Sequence, residues 1–283
     1  MSKTKKILSS MTIVWLCLLL VVFTYSWVLR NRTPVISQDD LQISSAGALV
    51  INLMGDGNYD SVDLNKVTGH KSFVFKQVSS LNGKNFLRLD FTPTIEGKSA
   101  VYEYIDENNS HKEDYIDARF ALKLDDSLKC AKYVYLHEDC MISDNNDAVD
   151  VDKAIRIALD YDVKISDTEK ENHTYIFGVT ENGALEKYGE AVKPDSGGLE
   201  ETDVGAVGQQ TVYSFAKFNG LTDGKPDPEK CLFRIEPGEI MWINLRIWLE
   251  GADENCRDEL AGESFNLTLK FDSVEETAVA EAE

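Results

Sequence analysis

Four histidines, His70, His111, His137 and His173, are scattered through the chain, and none sits in a spacing that supports catalysis or metal binding. His137-Glu138 is followed by Asp139-Cys140-Met141, so the partner histidine that a zinc-protease helix places one turn further on is missing. Nor is there a G-x-S-x-G elbow, a Walker A loop or a G-x-G-x-x-G fingerprint; Gly205-Ala206-Val207-Gly208 reads as loop glycine. A Ser-His-Asp set can assemble in space without a motif, but nothing in the order of residues points to one. The histidines read as surface residues, and the chain reads as a non-enzyme with no cofactor.

Oxygen ligands are the next possibility. Asp144, Asp147, Asp150 and Asp152, interleaved with Asn145 and Asn146, are weak calcium candidates. Ala148 stands where an EF-hand loop has its third ligand, and Val149 replaces the turn glycine, so the stretch reads as a solvated loop between strands. Glu250, Asp253 and Glu254 read in the same way.

Of five cysteines, Cys17 lies in a hydrophobic segment, which leaves Cys130, Cys140, Cys231 and Cys256. An even number in an oxidising compartment suggests disulfides. Cys130–Cys140 and Cys231–Cys256 is the expected pairing, because both would close local loops. Four free thiols are the alternative, and a zinc site lacks any C-x₂-C pair.

Trp242 and Trp248 are six residues apart, hence on one face of a strand. Exposed, they would form a platform for stacking sugars; core packing is the commoner use of such residues. Asn108, Asn172 and Asn266 each open a glycosylation acceptor triplet.

The elements that must position these groups are strands. Residues 115–124, 132–136, 154–161 and 264–271 alternate apolar and polar with period two, as do shorter runs near 41–44, 72–76 and 85–91. Leu49 to Leu53, 173–179, 231–235 and 239–249 read as further strands. Residues 194–210 form a long Gly-rich stretch, and 254–260 a short helix. Many strands, turn signals between them and almost no long helical pattern predict an antiparallel, all-β sandwich.

In front of this body, residues 7–29 carry no charge and include Trp15, Leu16, Leu18, Leu19, Leu20, Val21, Val22 and Phe23. As a helix the run spans roughly 35 Å, enough to cross a bilayer. Lys3, Lys5 and Lys6 precede it, which keeps residues 1–6 in the cytoplasm as a basic tip and places the rest outside. Cleavage as a signal peptide is the alternative, with small residues at Thr24-Tyr25-Ser26; either way the body is exported. The expected organisation is then a linker at 30–40, a sandwich at 41–274 and an acidic, disordered tail at 275–283.

The chain has a net charge of −20, and after residue 32 it carries 24 basic against 49 acidic residues. A surface of that sign excludes nucleic acid as a partner. The expected partners are the membrane, through the N-terminal helix, and further copies or other surface proteins. Leu41, Ile43, Leu49 and Ile51 mark a first segment able to complete its own sheet or to be donated to a neighbour's groove.

Both ends of the chain resemble the TasA–camelysin family of exported Gram-positive surface and biofilm-matrix proteins. At the front, Thr24-Tyr25-Ser26-Trp27 closes a hydrophobic leader as that family's junction does, although Trp27-Val28 stands where an aromatic pair is usual. At the back, Leu260-Ala261-Gly262-Glu263-Ser264-Phe265 followed by Asn266-Leu267-Thr268-Leu269-Lys270-Phe271 is similar to the family's closing strand. The resemblance implies a jelly roll and a role in surface fibres or matrix. Camelysin's metallo-endopeptidase activity does not carry over, since no zinc motif is present. The expectation is a membrane-anchored or secreted structural or adhesive protein; a sugar-binding module or a hydrolase with a spatially assembled site are the alternatives.

Overall fold

The computed structural model describes residues 36–46, 48–53, 57–64, 73–94, 97–105, 114–144, 150–165, 168–179, 186–190, 209–223, 225–253, 255–256 and 260–276. Within them the protein is all-β. The first sheet contains β1 (Ile36–Ser45), β4 (Ser61–Asp63), β5 (Val74–Phe75), β10 (Lys132–Leu136), β11 (Met141–Asp144), β18 (Phe233–Ile235) and β20 (Ser264–Glu275). The second contains β2 (Leu49–Leu53), β3 (Gly57–Tyr59), β6 (Gln77–Ser79), β7 (Phe86–Thr94), β8 (Gly97–Ile105), β9 (Ile116–Leu124), β12 (Ile155–Lys164), β13 (Lys170–Phe177) and β19 (Ile240–Glu250). Two ribbons, β14 (Glu186–Glu190) with β15 (Gln209–Val212) and β16 (Leu221–Thr222) with β17 (Lys225–Pro226), stand apart from these ladders. One helical turn, α1 (Val151–Ala154), precedes β12 and takes in Ala154, the first residue of the stretch read from sequence as strand.

Period-two patterning explains how the sheets share one core. On β20 the buried residues are Phe265, Leu267, Leu269 and Phe271; on β19 those of the same core are Met241, Ile243, Leu245, Ile247 and Leu249. These faces meet through pairs such as Phe120 with Phe271, whose ring centroids lie 5.8 Å apart. Burying such rows removes the apolar area that drives the fold.

The expected all-antiparallel arrangement needs correction. β1 runs parallel to β20, and β6 runs parallel to β19. A parallel pair requires a long crossover, and both pairs have one, since most of the chain lies between their partners. β1 begins at Ile36, inside the stretch read as a linker, and β20 continues to Glu275, where the acidic tail was expected. Leu41, Ile43 and Ile51 are completely buried and Leu49 nearly so; β1 and β2 are paired at home, one in each sheet. Residues 1–35, with the expected membrane anchor Trp15 to Phe23, lie outside the described residues. Among the described residues no helix is long and apolar enough to cross a membrane.

Candidate functional site

Four strands of the second sheet, β9, β19, β12 and β13, lie side by side, and their outward-facing positions align into rows. Arg119, Asn244, Asp160 and Thr174 form one row straight across the sheet. Asp117, Arg246, Ala158 and Ile176 form the row below. Above stand Ala121 beside Trp242, and Asp162 opposite Asn172. These are the polar-phase positions of strands whose other phase fills the core. Alternation alone gives a solvated face, so of these positions only Trp242 and Asn172 stand out in the sequence, each for another reason; the signal for the rest is the number of amide and charged side chains in that phase.

Asp160 is the hub. It is 6% exposed, yet it receives five donors. Nζ of Lys84 lies 3.2 Å away, Nδ2 of Asn172 3.0 Å and Oγ1 of Thr174 3.1 Å. Nδ2 of Asn244 and a guanidinium nitrogen of Arg246 each donate at 3.3 Å. Burial pushes the Asp160 carboxyl up, but the Asn172 hydrogen bond and the charges of Lys84 and Arg246 outweigh it, so the net shift is downward. A carboxylate held ionised and fully engaged organises its neighbours; it is poorly suited to carry a proton at neutral pH. With its nitrogen turned to Asp160, Asn244 presents its carbonyl oxygen to solvent.

Lys84 and the Gly83 carbonyl, which accepts from Arg246 at 3.1 Å, reach this face from the loop after β6. Gly83 has φ +68°, and a Cβ there would stand 2.7 Å from that of Ala158. Only glycine lets the loop lie this close to the sheet.

Above Asp160 the face opens into a cleft of about 430 Å³, lined by Arg119, Asp162, Lys164, Lys170, Trp242 and Asn244 among others. That volume lies in the range of small-molecule sites. The Arg119 guanidinium sits over the Trp242 ring, 4.9 Å from its centroid. Lys164 and Lys170 face each other across the β12–β13 ladder. The cleft offers an aromatic ring, amides and charges of both signs, without a nucleophile activated by a base.

The lower end of the same face is closed. Trp248 is fully buried, edge-on to Phe86 at 5.3 Å, within a second apolar cluster that includes Val78, Tyr115, Ile176 and Val212. The two-tryptophan platform is therefore not formed: one ring is core, the other borders the cleft. Beside Trp248, Glu250 and Asp253 are buried rather than a solvated turn. Glu250 accepts from Trp248 Nε1 at 2.9 Å and from Gln210 Nε2 at 3.0 Å. Asp253 pairs with Arg156, both side chains fully buried, and Arg156 also donates to Gln210 and to the Ile155 carbonyl. A buried charge demands such partners.

The other expected sites fare as follows. Cys130, Cys140, Cys231 and Cys256 are free thiols, which corrects the expected disulfides. Ala131, next to Cys130, bonds Glu276, whereas Cys140 Sγ bonds both backbone groups of Lys270. Six residues of β20 separate these anchor points, roughly 20 Å, far beyond disulfide reach. Cys231 donates to the Asp227 carbonyl beside the first sheet, while Cys256 accepts from Gln77 of β6 in the second. Burial pushes the Cys140 thiol up to about 11 and those of Cys231 and Cys256 up to about 12, so all three stay protonated and inert.

Among the described residues no group of three His, Cys, Asp or Glu could hold a metal ion. Asp147 of the calcium candidates lies outside them. Burial raises the Asp152 carboxyl, and the nearby charges of Asp144 and Asp150 raise it further; Lys153 pairs with Asp150 at 3.1 Å. His137 contacts Asp139 at 3.1 Å, but His173 is half-buried and stacks on Tyr161, so it is not a plain surface residue. Asn172 of the second acceptor triplet spends its amide nitrogen on Asp160 and Asp162. No family model, curated protein or solved structure matches this chain.

Proposed function

We propose that the chain is a membrane-anchored or secreted cell-surface protein of the structural or adhesive kind, a jelly-roll-like sandwich that works by binding or assembly rather than catalysis. In this account residues 7–29 form the transmembrane helix or leader, and the acidic body lies outside the cell. One observation carries it: the strand nearest that segment, β1, is an interior strand, held between β20 and the pair β4 and β5, with Leu41 and Ile43 fully buried. A tether joined to such a strand is joined to the core. The satisfied, ionised Asp160 in the main polar cleft supports a binding role over a hydrolytic one.

Protease added to intact wall-less cells should digest residues 33–283 while leaving cytoplasmic proteins whole. Full protection would overturn the proposal. Assembly is tested by light scattering on residues 27–283: mass growth with concentration supports a fibre or matrix subunit, and a persistent monomer restricts the protein to adhesion.

A further inference from the structure

Gln77 and Cys256 meet beside the lower, closed end of the second sheet, and nothing described so far uses them. Gln77 opens β6, opposite Leu249 of the parallel strand β19. Its side chain is 5% exposed, and its Nε2 lies 3.2 Å from Cys256 Sγ. Its Oε1 is buried with no hydrogen-bond partner among the described residues. Leaving a buried carbonyl unpaired costs about 1–3 kcal/mol, which an apolar residue at position 77 would avoid.

Both partners are anchored. β6 is paired with β19 on one side and with β7 on the other. The turn that delivers Cys256 is tied down by Gly251 N–H on the Val78 carbonyl at 2.8 Å and by Cys256 N–H on the Asp253 carbonyl at 3.0 Å. The buried Asp253–Arg156 pair secures the same turn. That ion pair thus holds a thiol against an amide.

A thiol and a carboxamide fixed in contact can react, since well-oriented groups reach effective concentrations of about 10⁵–10⁸ M. Sγ bonds to Cδ of Gln77, the Cδ–Nε2 bond breaks, and the nitrogen takes the thiol hydrogen and leaves as ammonia. No electron is gained or lost. In bulk water the amide is the more stable of the two. Here ammonia escapes, and a thioester carbonyl, the poorer hydrogen-bond acceptor, suits the unpaired position of Oε1. Burial keeps Cys256 inert toward outside reagents, but the amide is already in contact with it.

We propose that Gln77 and Cys256 close an internal thioester, which a lysine amine of a partner opens. The amine nitrogen bonds to Cδ, the Cδ–Sγ bond breaks, and an amine hydrogen passes to sulfur. The partner is then joined to residue 77 by an amide. Lysine is the amine that a body of net charge −20 draws in. Cys256 is only partly buried, so its end of the bond is reached from solvent. The proposal deepens the adhesive reading, on which its choice of partner rests, by making the contact covalent.

Mass spectrometry of the full chain tests the bond, with Cys256→Ser as reference. The protein should weigh one ammonia less than its sequence requires, and the variant should match its sequence over the same residues. Peptide maps should show Gln77 joined to Cys256. Methylamine should add once, at Gln77, and expose one further thiol to iodoacetamide. A lysine peptide with a blocked N-terminus should couple at the same carbon, and its side-chain-acetylated form should not. A bond lost to water still registers, as a carboxylate at position 77 that the variant lacks. An intact Gln77 amide with Cys256 alkylated as soon as the chain unfolds, or no coupling of the lysine peptide, would overturn the inference. Mass reads the bond wherever the protein resides and protease digestion reads placement, so the two proposals fail separately.

Discussion

Trp242 and Trp248 are carried on the same face of the same strand, three repeats of the pleat apart, and they meet opposite fates. Trp248 is covered by the layer that runs from β6 through Phe86 to Ile105 and Val212, so its ring is core and its N–H must find a buried carboxylate in Glu250. Trp242 has no such cover among the described residues; its contacts are a guanidinium and a polar cleft. Strand register decides which way a side chain points. Whether that direction is inside or outside is decided by what else is laid upon the sheet.

The contrast breaks most directly by mutation. Trp248→Ala should cost about 3–5 kcal/mol, the usual range for emptying a packed aromatic site, read as a lower urea midpoint at unchanged slope. A loss near zero would mean that the covering layer is loosely seated and that the two ends are alike. Asp253→Ala should cost a similar amount, about 3–5 kcal/mol, because it strands the buried Arg156 charge. Pairing it with Arg156→Met should restore much of that loss, which equilibrium unfolding of both variants will show.

Gly83→Ala tests the boundary between the two regions. The left-handed φ and the 2.7 Å approach to Ala158 set an expected cost of about 1–3 kcal/mol. It should appear as a fall in melting temperature together with faster hydrogen exchange in residues 80–85.

The strands that carry this contrast were legible. Residues 132–136 alternate strictly and form β10 with the same bounds, while 239–249 and 264–271 mark β19 and most of β20. Their partners were not legible, because pairing β1 with β20 joins the two ends of the domain. The same limit hid the lower site. Glu250 and Asp253 look like a solvated turn until Arg156 and Gln210 are brought to them from far along the chain. Local spacing misled outright at the cysteines, since the nine residues between Cys130 and Cys140 include a whole strand that carries them apart.

Asp160→Asn sharpens the comparison at the open end through pH. The folded carboxyl lies below its ordinary value, so its stabilisation is present above about pH 4 and is lost as pH falls through the folded value. The stability gap between the protein and the variant should therefore be widest near neutrality and close in acid, as followed by urea unfolding at several pH values. A gap independent of pH would assign the hub's role to shape rather than charge. The smallest effect is expected at the residue most exposed to ligand. Trp242→Ala should cost no more than about 1 kcal/mol, the scale of a surface cation–π contact, measured in the same unfolding assay as Trp248→Ala.

The parallel pairing of β1 with β20 has a mechanical meaning. Its ladder runs from Ser37 opposite Ser264 to Ser45 opposite Phe271, with a second row of bonds to β4 and β5 on the other edge. A pull on the end of β1 that faces the N-terminus, directed along the strand, acts across these hydrogen bonds and strains them together. A hairpin pulled open from its free ends loses its bonds one after another; a strand drawn lengthwise from between two neighbours must slip against all of them at once. Resistance to such a pull is set by the unfolding rate rather than by equilibrium stability. For a domain held by its first strand and gripped elsewhere by a ligand, the point of attachment is thus the part that yields last.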